Sequence, residues 1–87
     1  MSCYNIMILV VNNRVKNAVK LQEVLTESGC MIKTRLGLHE ADGEACSNNG
    51  LIILQLSGAD EDIDALEKKL NSLEGVKAKL NRICTDW

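Results

Sequence analysis

The sequence predicts an α+β sandwich of order β-α-β-β-α-β, with two helices on one face of a four-stranded antiparallel sheet. Three observations predict it. Residues 5–11 (NIMILVV) and 51–56 (LIILQL) are short, nearly continuous apolar runs, as in strands at the centre of a sheet. Two other segments carry apolar residues at three- and four-residue spacing, which is helical. The chain also divides into halves, each of which reads strand, helix, strand.

Taken in order, residues 5–11 are apolar on both sides and rich in Ile and Val, so they form the first strand. Asn12 and Asn13 supply a turn and a helix N-cap. Val15, Ala18, Val19, Leu21 and Leu25 then make a broad helical face, with Lys16, Lys20, Glu23 and Glu27 mostly opposite. Gly29 is placed to end that helix as a left-handed residue. In residues 31–38, Ile32, Thr34, Leu36 and Leu38 alternate with Lys33, Arg35 and Gly37, the pattern of a half-buried strand. A polar loop follows, and residues 51–56 form the third strand.

Ser57-Gly58 turns the chain, and Asp60, Glu61 and Asp62 open a second helix whose dipole favours negative charge there. Ile63, Leu66, Leu70 and Leu73 form its stripe, and Gly75 ends it. Val76, Ala78 and Leu80 alternate with Lys77, Lys79 and Asn81 in the last strand, whose lysines suit a sheet edge.

Right-handed crossovers put both helices on one face and set the strand order 4-1-3-2, the ferredoxin-like arrangement. The other face ought then to be polar, yet the two central strands are apolar on both sides. Ile6, Ile8 and Val10 oppose Met7, Leu9 and Val11; Leu51 and Ile53 oppose Ile52, Leu54 and Leu56. An uncovered apolar face marks an interface. The expectation is a homo-oligomer, a dimer or a tetramer, joined face to face or edge to edge through the sheet.

Composition narrows the functional classes. Eighty-seven residues make a single domain, 1–87. A net charge of −2 and a pI near 5.3, with bases interspersed among acids, argue against direct DNA binding. Tyr4 and Trp87 are the only aromatics, too few to stack bases. No apolar run is long enough to span a bilayer, and the run at 6–11 lacks the flanks of a signal peptide, so the expected compartment is the cytoplasm. Cys3, Cys30, Cys46 and Cys84 are scattered without a CxxC pair and are expected to stay reduced, with Cys30 and Cys84 filling the core.

The chemistry-bearing residues gather in one segment. His39, the only histidine, lies within eight residues of Glu40, Asp42, Glu44 and Cys46. A lone histidine among acids in a loop is ordinarily a solvated side chain, and a zinc site needs about four converging ligands. No nucleophile–base pair is recognisable, so no enzymatic activity is expected. At the first strand–helix turn, Asn12, Asn13 and Arg14 are placed to receive an anion near a helix N-terminus.

The run RLGLHEADGEAC, the strand GLIILQLSG and the segment LEGVKAKL resemble the iron-only hydrogenase system regulator family. These are small stand-alone ACT-like domains, related to the C-terminal metal-sensing domain of the nickel-responsive repressor. The resemblance covers residues 4–83. It implies a non-enzymatic regulatory or ligand-sensing domain acting as a homo-oligomer, with a small-molecule effector. Against the repressor's metal site, His39 falls on the second histidine of its H-x-H pair and Gly37 on the first. Cys46 lies one residue beyond the cysteine, and the fourth ligand has no counterpart. The alternative the resemblance implies is a protein binding a divalent transition metal through His39 and Cys46, completed at a subunit interface. The repressor's ribbon-helix-helix is absent, as is the glycine of the first turn in amino-acid-binding ACT domains.

Overall fold

A computed structural model describes the backbone of residues 2–12, 14–42 and 45–87, and the side chains of these except 14, 15, 38–42 and 45–49. The elements are β1 (Ser2–Val11), α1 (Arg14–Glu27), β2 (Ile32–Asp42), β3 (Ala45–Leu56), α2 (Asp60–Asn71) and β4 (Val76–Thr85). The sheet is antiparallel in the order β2-β3-β1-β4, the expected 4-1-3-2 read from the other edge. The fold is ferredoxin-like.

One face of the sheet is covered. Met7, Leu9 and Val11 of β1, Leu54 and Leu56 of β3, and Val76 of β4 pack against Leu21, Val24 and Leu25 of α1 and Ile63, Leu66 and Leu70 of α2. The stripe on α2 is the expected one, with the acids in its first turn and Lys68 and Lys69 in its last. On α1 the stripe runs through Ala18, Leu21 and Leu25 with Val24 beside it. Val19, expected on the buried face, lies outside it and is 70% exposed.

Two glycines act differently from expectation. Gly29 does not take a positive φ; α1 ends at Glu27 and a 3-10 turn, Gly29–Met31, leads into β2. Gly75 does, at φ 78°, but four residues past the end of α2, where it turns the chain into β4. There its carbonyl accepts the Asn12 N–H at 2.7 Å, and the Asn17 amide donates to the Asn12 carbonyl at 2.7 Å. The two loops at this end of the sheet are thereby tied together. A Cβ on residue 75 would collide with Asn17 Nδ2.

β2 departs from simple alternation. Ile32 pairs with Leu56, but the next pair is Thr34 with Gln55, so Lys33 is the extra residue of a bulge. The bulge changes the face of everything after it. Ile32 packs on the core, whereas Thr34 and Leu36 share the uncovered side with Gln55 and Ile53. The segment expected to be a polar loop is mostly strand as well. β2 and β3 continue as a two-stranded arm past the last pairing of β3 with β1, Val11 with Gly50, and residues 45–50 of the expected loop lie inside β3. A paired ladder satisfies its own backbone groups and needs no apolar face beyond the core, so polarity alone did not mark a loop.

β4 is an edge strand with Lys77 and Lys79 exposed, as expected, and α2 adds a second protection. The Asn71 amide donates to the Ala78 carbonyl at 2.9 Å and accepts the Ala78 N–H at 2.8 Å, while Glu67 accepts the Leu80 N–H. The opposite end of the core is closed by Asn5, the one buried polar residue among those described. Arg82 donates to its Oδ1 at 2.8 Å and pairs with Asp64 and Asp60 of α2 at 3.3 and 3.5 Å.

Gly75→Ala combines a left-handed backbone with a collision and should cost about 1–3 kcal/mol in urea unfolding. Gly29→Ala, with open space around its Cβ, should stay within about 0.5 kcal/mol of the parent in the same measurement.

Candidate functional site

The uncovered face of the sheet is apolar, as the two-sided strands required. Register places Tyr4, Ile6, Ile8 and Val10 of β1 between Leu51 and Ile53 of β3 and Ile83 of β4, with Leu36 of β2 beyond. Tyr4, Val10, Leu36 and Ile83 are each at least half exposed, and Ile8 is 38% exposed. This is a contiguous patch and not scattered surface residues. Its polar margin is Thr34 and Gln55 toward one edge and Lys77, Lys79 and Asn81 along the other. Ile8 and Val10 share a shallow depression with Lys77, Lys79 and Asn81. The described rungs of this face carry two lysines and no carboxylate.

Both sites read from the sequence fall at one end of the sheet. Val11 pairs with Gly50 and Val76, and Gly50 with His39, so the four strands share a rung there. Asn12 follows Val11; its side chain is exposed and its backbone N–H and carbonyl are both engaged by the loop tie. Asn13 lies outside the described residues, as does the side chain of Arg14, whose backbone opens α1. A hollow of about 480 Å³ adjoins this turn, lined by Lys16, Asn17, Lys20 and Glu74 among others.

In the β2–β3 arm, Cys46 opposes Ala41, two residues beyond His39 on the adjacent strand. The backbone therefore puts His39 and Cys46 near one another on a hairpin and not in a loose loop. Their side chains, with those of Glu40 and Asp42, lie outside the described set, as does Glu44 altogether. Among the described residues no group of three or more His, Cys, Asp or Glu is placed to hold a metal ion. No helix among them is long and apolar enough to cross a membrane.

The cysteines overturn two expectations. Cys3 and Cys84 oppose each other on β1 and β4 with Cα atoms 4.0 Å apart and are joined by a disulfide. Cys84 is thus neither reduced nor in the core, and Cys30 is an exposed free thiol in the 3-10 turn. The physical reason is strand length. β1 begins at Ser2 and β4 runs on to Thr85, three and four residues past the apolar runs that signal them, and only this extension aligns the pair. The disulfide lies at the end of the sheet away from the hairpin arm, next to the Tyr4–Ile83 rung.

The uncharacterised protein TM1266 from Thermotoga maritima has the same fold. It is 27% identical, with a TM-score of 0.80 over 95% of this chain and 100% of that one. A dimeric ferredoxin-like protein from an uncultured marine organism matches at 10% identity and a TM-score of 0.47, over 98% of this chain and 95% of the other. No family model matches the chain, and no curated protein matches it.

The disulfide closes a loop with a sequence separation of 81, so it removes much of the freedom of the unfolded chain. Cys84→Ser should lower stability by about 2–4 kcal/mol in denaturant unfolding. The thermal midpoint should fall by about 10–20 °C in a calorimetric scan.

Proposed function

We propose that this chain is a non-enzymatic regulatory or ligand-sensing domain that works as a homo-oligomer, with the uncovered sheet face as its subunit contact. The observation that carries this reading is the patch built from Tyr4, Ile8, Val10, Leu36, Ile53 and Ile83. Such a face suits a second copy of itself. Its centre is apolar, and its only described charges, Lys77 and Lys79, sit at one corner. A two-fold axis through the centre carries the two pairs of lysines to separate rims. The β4 edge is a poorer contact, because Asn71 and Glu67 already occupy it.

The regulatory part of the proposal, including membership of the iron-only hydrogenase system regulator family, rests on the resemblance of RLGLHEADGEAC and GLIILQLSG to that family. A small anionic effector would be taken at the Asn12, Asn13, Arg14 turn, where Lys16 and Lys20 line the adjoining hollow. The cytoplasm is the compartment proposed.

Native mass measurement of the purified protein should show a dimer or tetramer, and Ile8→Lys should reduce it to a folded monomer. A parent chain that is monomeric at tens of micromolar would defeat the reading. Adding free amino acids or carboxylic acids to the same measurement tests the effector, which should add its mass to the parent and not to an Arg14→Ala variant.

A second reading is favoured by one observation, the hairpin register that brings His39 and Cys46 to adjacent strands. The protein would then bind a divalent transition metal through these two residues, with a neighbouring subunit completing the ligand set. It requires that nickel, zinc, cobalt or ferrous iron raise the thermal midpoint, and that His39→Ala abolish the rise. No shift with any of the four rejects it.

A further inference from the structure

The Cys3–Cys84 disulfide sits where the sheet has lost its core. The last buried rung at this end is Asn5 with Arg82. Beyond it, Cys3, Tyr4, Ile83 and Cys84 are all exposed, and none of them belongs to the buried core. These outer rungs are held by their ladder hydrogen bonds, by the disulfide and by a hydrogen bond from the Thr85 hydroxyl to the Ser2 carbonyl at 3.4 Å. An uncovered two-stranded segment is marginal in water, so the covalent bond decides whether it stays paired.

Those same rungs carry part of the uncovered face. Tyr4 and Ile83 are direct partners on that side of the sheet, at 51% and 59% exposure, and each is the chain neighbour of a bridged cysteine. We infer that Cys3 and Cys84 form a thiol–disulfide switch that controls the Tyr4–Ile83 end of the sheet face and, through it, the strength of the subunit contact. The inference rests on the sheet-contact reading proposed above and adds its regulation. When the bond is closed, Tyr4 and Ile83 are fixed in register and extend the apolar patch. When it is open, the outer rungs fray and the patch shrinks toward Ile8 and Val10.

The chemistry requires a dithiol reductant. One thiolate of the dithiol attacks a sulfur of the pair, forming a mixed disulfide and releasing the other cysteine as a thiolate that takes up a proton. The second thiol of the reductant then displaces the remaining cysteine and closes the reductant's own disulfide. Two electrons and two protons pass to Cys3 and Cys84, and the reductant leaves oxidised. Exposure of both cysteines admits the attacking thiolate. In a reducing compartment a disulfide with these properties is the regulatory kind and not the structural kind.

The test compares oxidised protein, protein treated with millimolar dithiothreitol without denaturant, and the Cys3→Ser and Cys84→Ser variants. Amide hydrogen exchange is read as the gap in protection between residues 3–5 with 82–84 and the core residues Met7, Leu9 and Leu54. The core residues measure the global loss of stability, and the outer residues report their own fraying in addition. Reduction should widen the gap about tenfold or more, and the serine variants should show the wide gap whatever the redox state. In parallel, sedimentation should show the oligomer dissociating at severalfold lower concentration when oxidised than when reduced. An unchanged gap, a widened gap with unchanged oligomer affinity, or a bond that resists reduction until denaturant is added would each overturn the switch. A parent chain that is monomeric in both redox states sinks the sheet contact itself, a failure separate from an exchange gap that does not move.

Discussion

β1 pairs with β3 along one side and β4 along the other, and it is apolar on both faces while helices cover only one. That imbalance organises the molecule. Met7, Leu9 and Val11 draw α1 and α2 onto one side and fix the core, leaving Ile6, Ile8 and Val10 without a layer of their own. Burying that second row would take another layer of structure, which the described chain does not supply. The sheet thus presents an uncovered apolar face bounded by a polar margin.

The ends of the sheet are finished by different means, and each means fits its surroundings. Near the hairpin arm, the tie between Asn12, Asn17 and Gly75 uses backbone groups and a short amide, which hold the two loops at hydrogen-bond distance. At the other end the core closes on a buried polar side chain, Asn5, satisfied by Arg82, which in turn pairs with Asp60 and Asp64 on α2. The Arg82 side chain is only 30% exposed, so these pairs are screened less than the more exposed Lys69–Glu27 contact between the helices. The polar bridge also stops the core from running on to Cys3 and Cys84, which is why a covalent link stands there in its place.

Most of the fold was legible because apolar periodicity is a direct record of burial. The central strands, the α2 stripe and the strand order all follow from it. What it could not show were features that depend on pairing and not on burial. The bulge at Lys33 shifts Thr34 and Leu36 to the uncovered face, yet the local pattern reads as regular alternation with or without it. The outer rungs of β1 and β4 have no buried side chain to announce them, so Cys3 and Cys84 looked unrelated at a sequence separation of 81. The strand order did place β1 beside β4, and extending both in antiparallel register would have matched the two cysteines. The hairpin arm carries no apolar signal for the same reason, since its residues are polar and its ladder lies beyond the core. Of the candidate site residues, Asn12 is the one whose surroundings are described in full, and what holds its backbone is a glycine some sixty positions away in the chain.

The Asn71 amide on Ala78 has a consequence for how many copies can join. It presents to the outer side of β4 the two hydrogen-bonding groups that an added strand would otherwise bring. A head-to-tail stack, in which the β2 edge of one molecule extends the β4 edge of the next, would have to displace that amide at every step. Such a stack is the route by which open sheets grow into fibres without limit. What remains are contacts that use the same surface on both partners, and these are complete as soon as the symmetry closes. One asparagine at the end of a helix therefore favours assemblies of finite size over polymers.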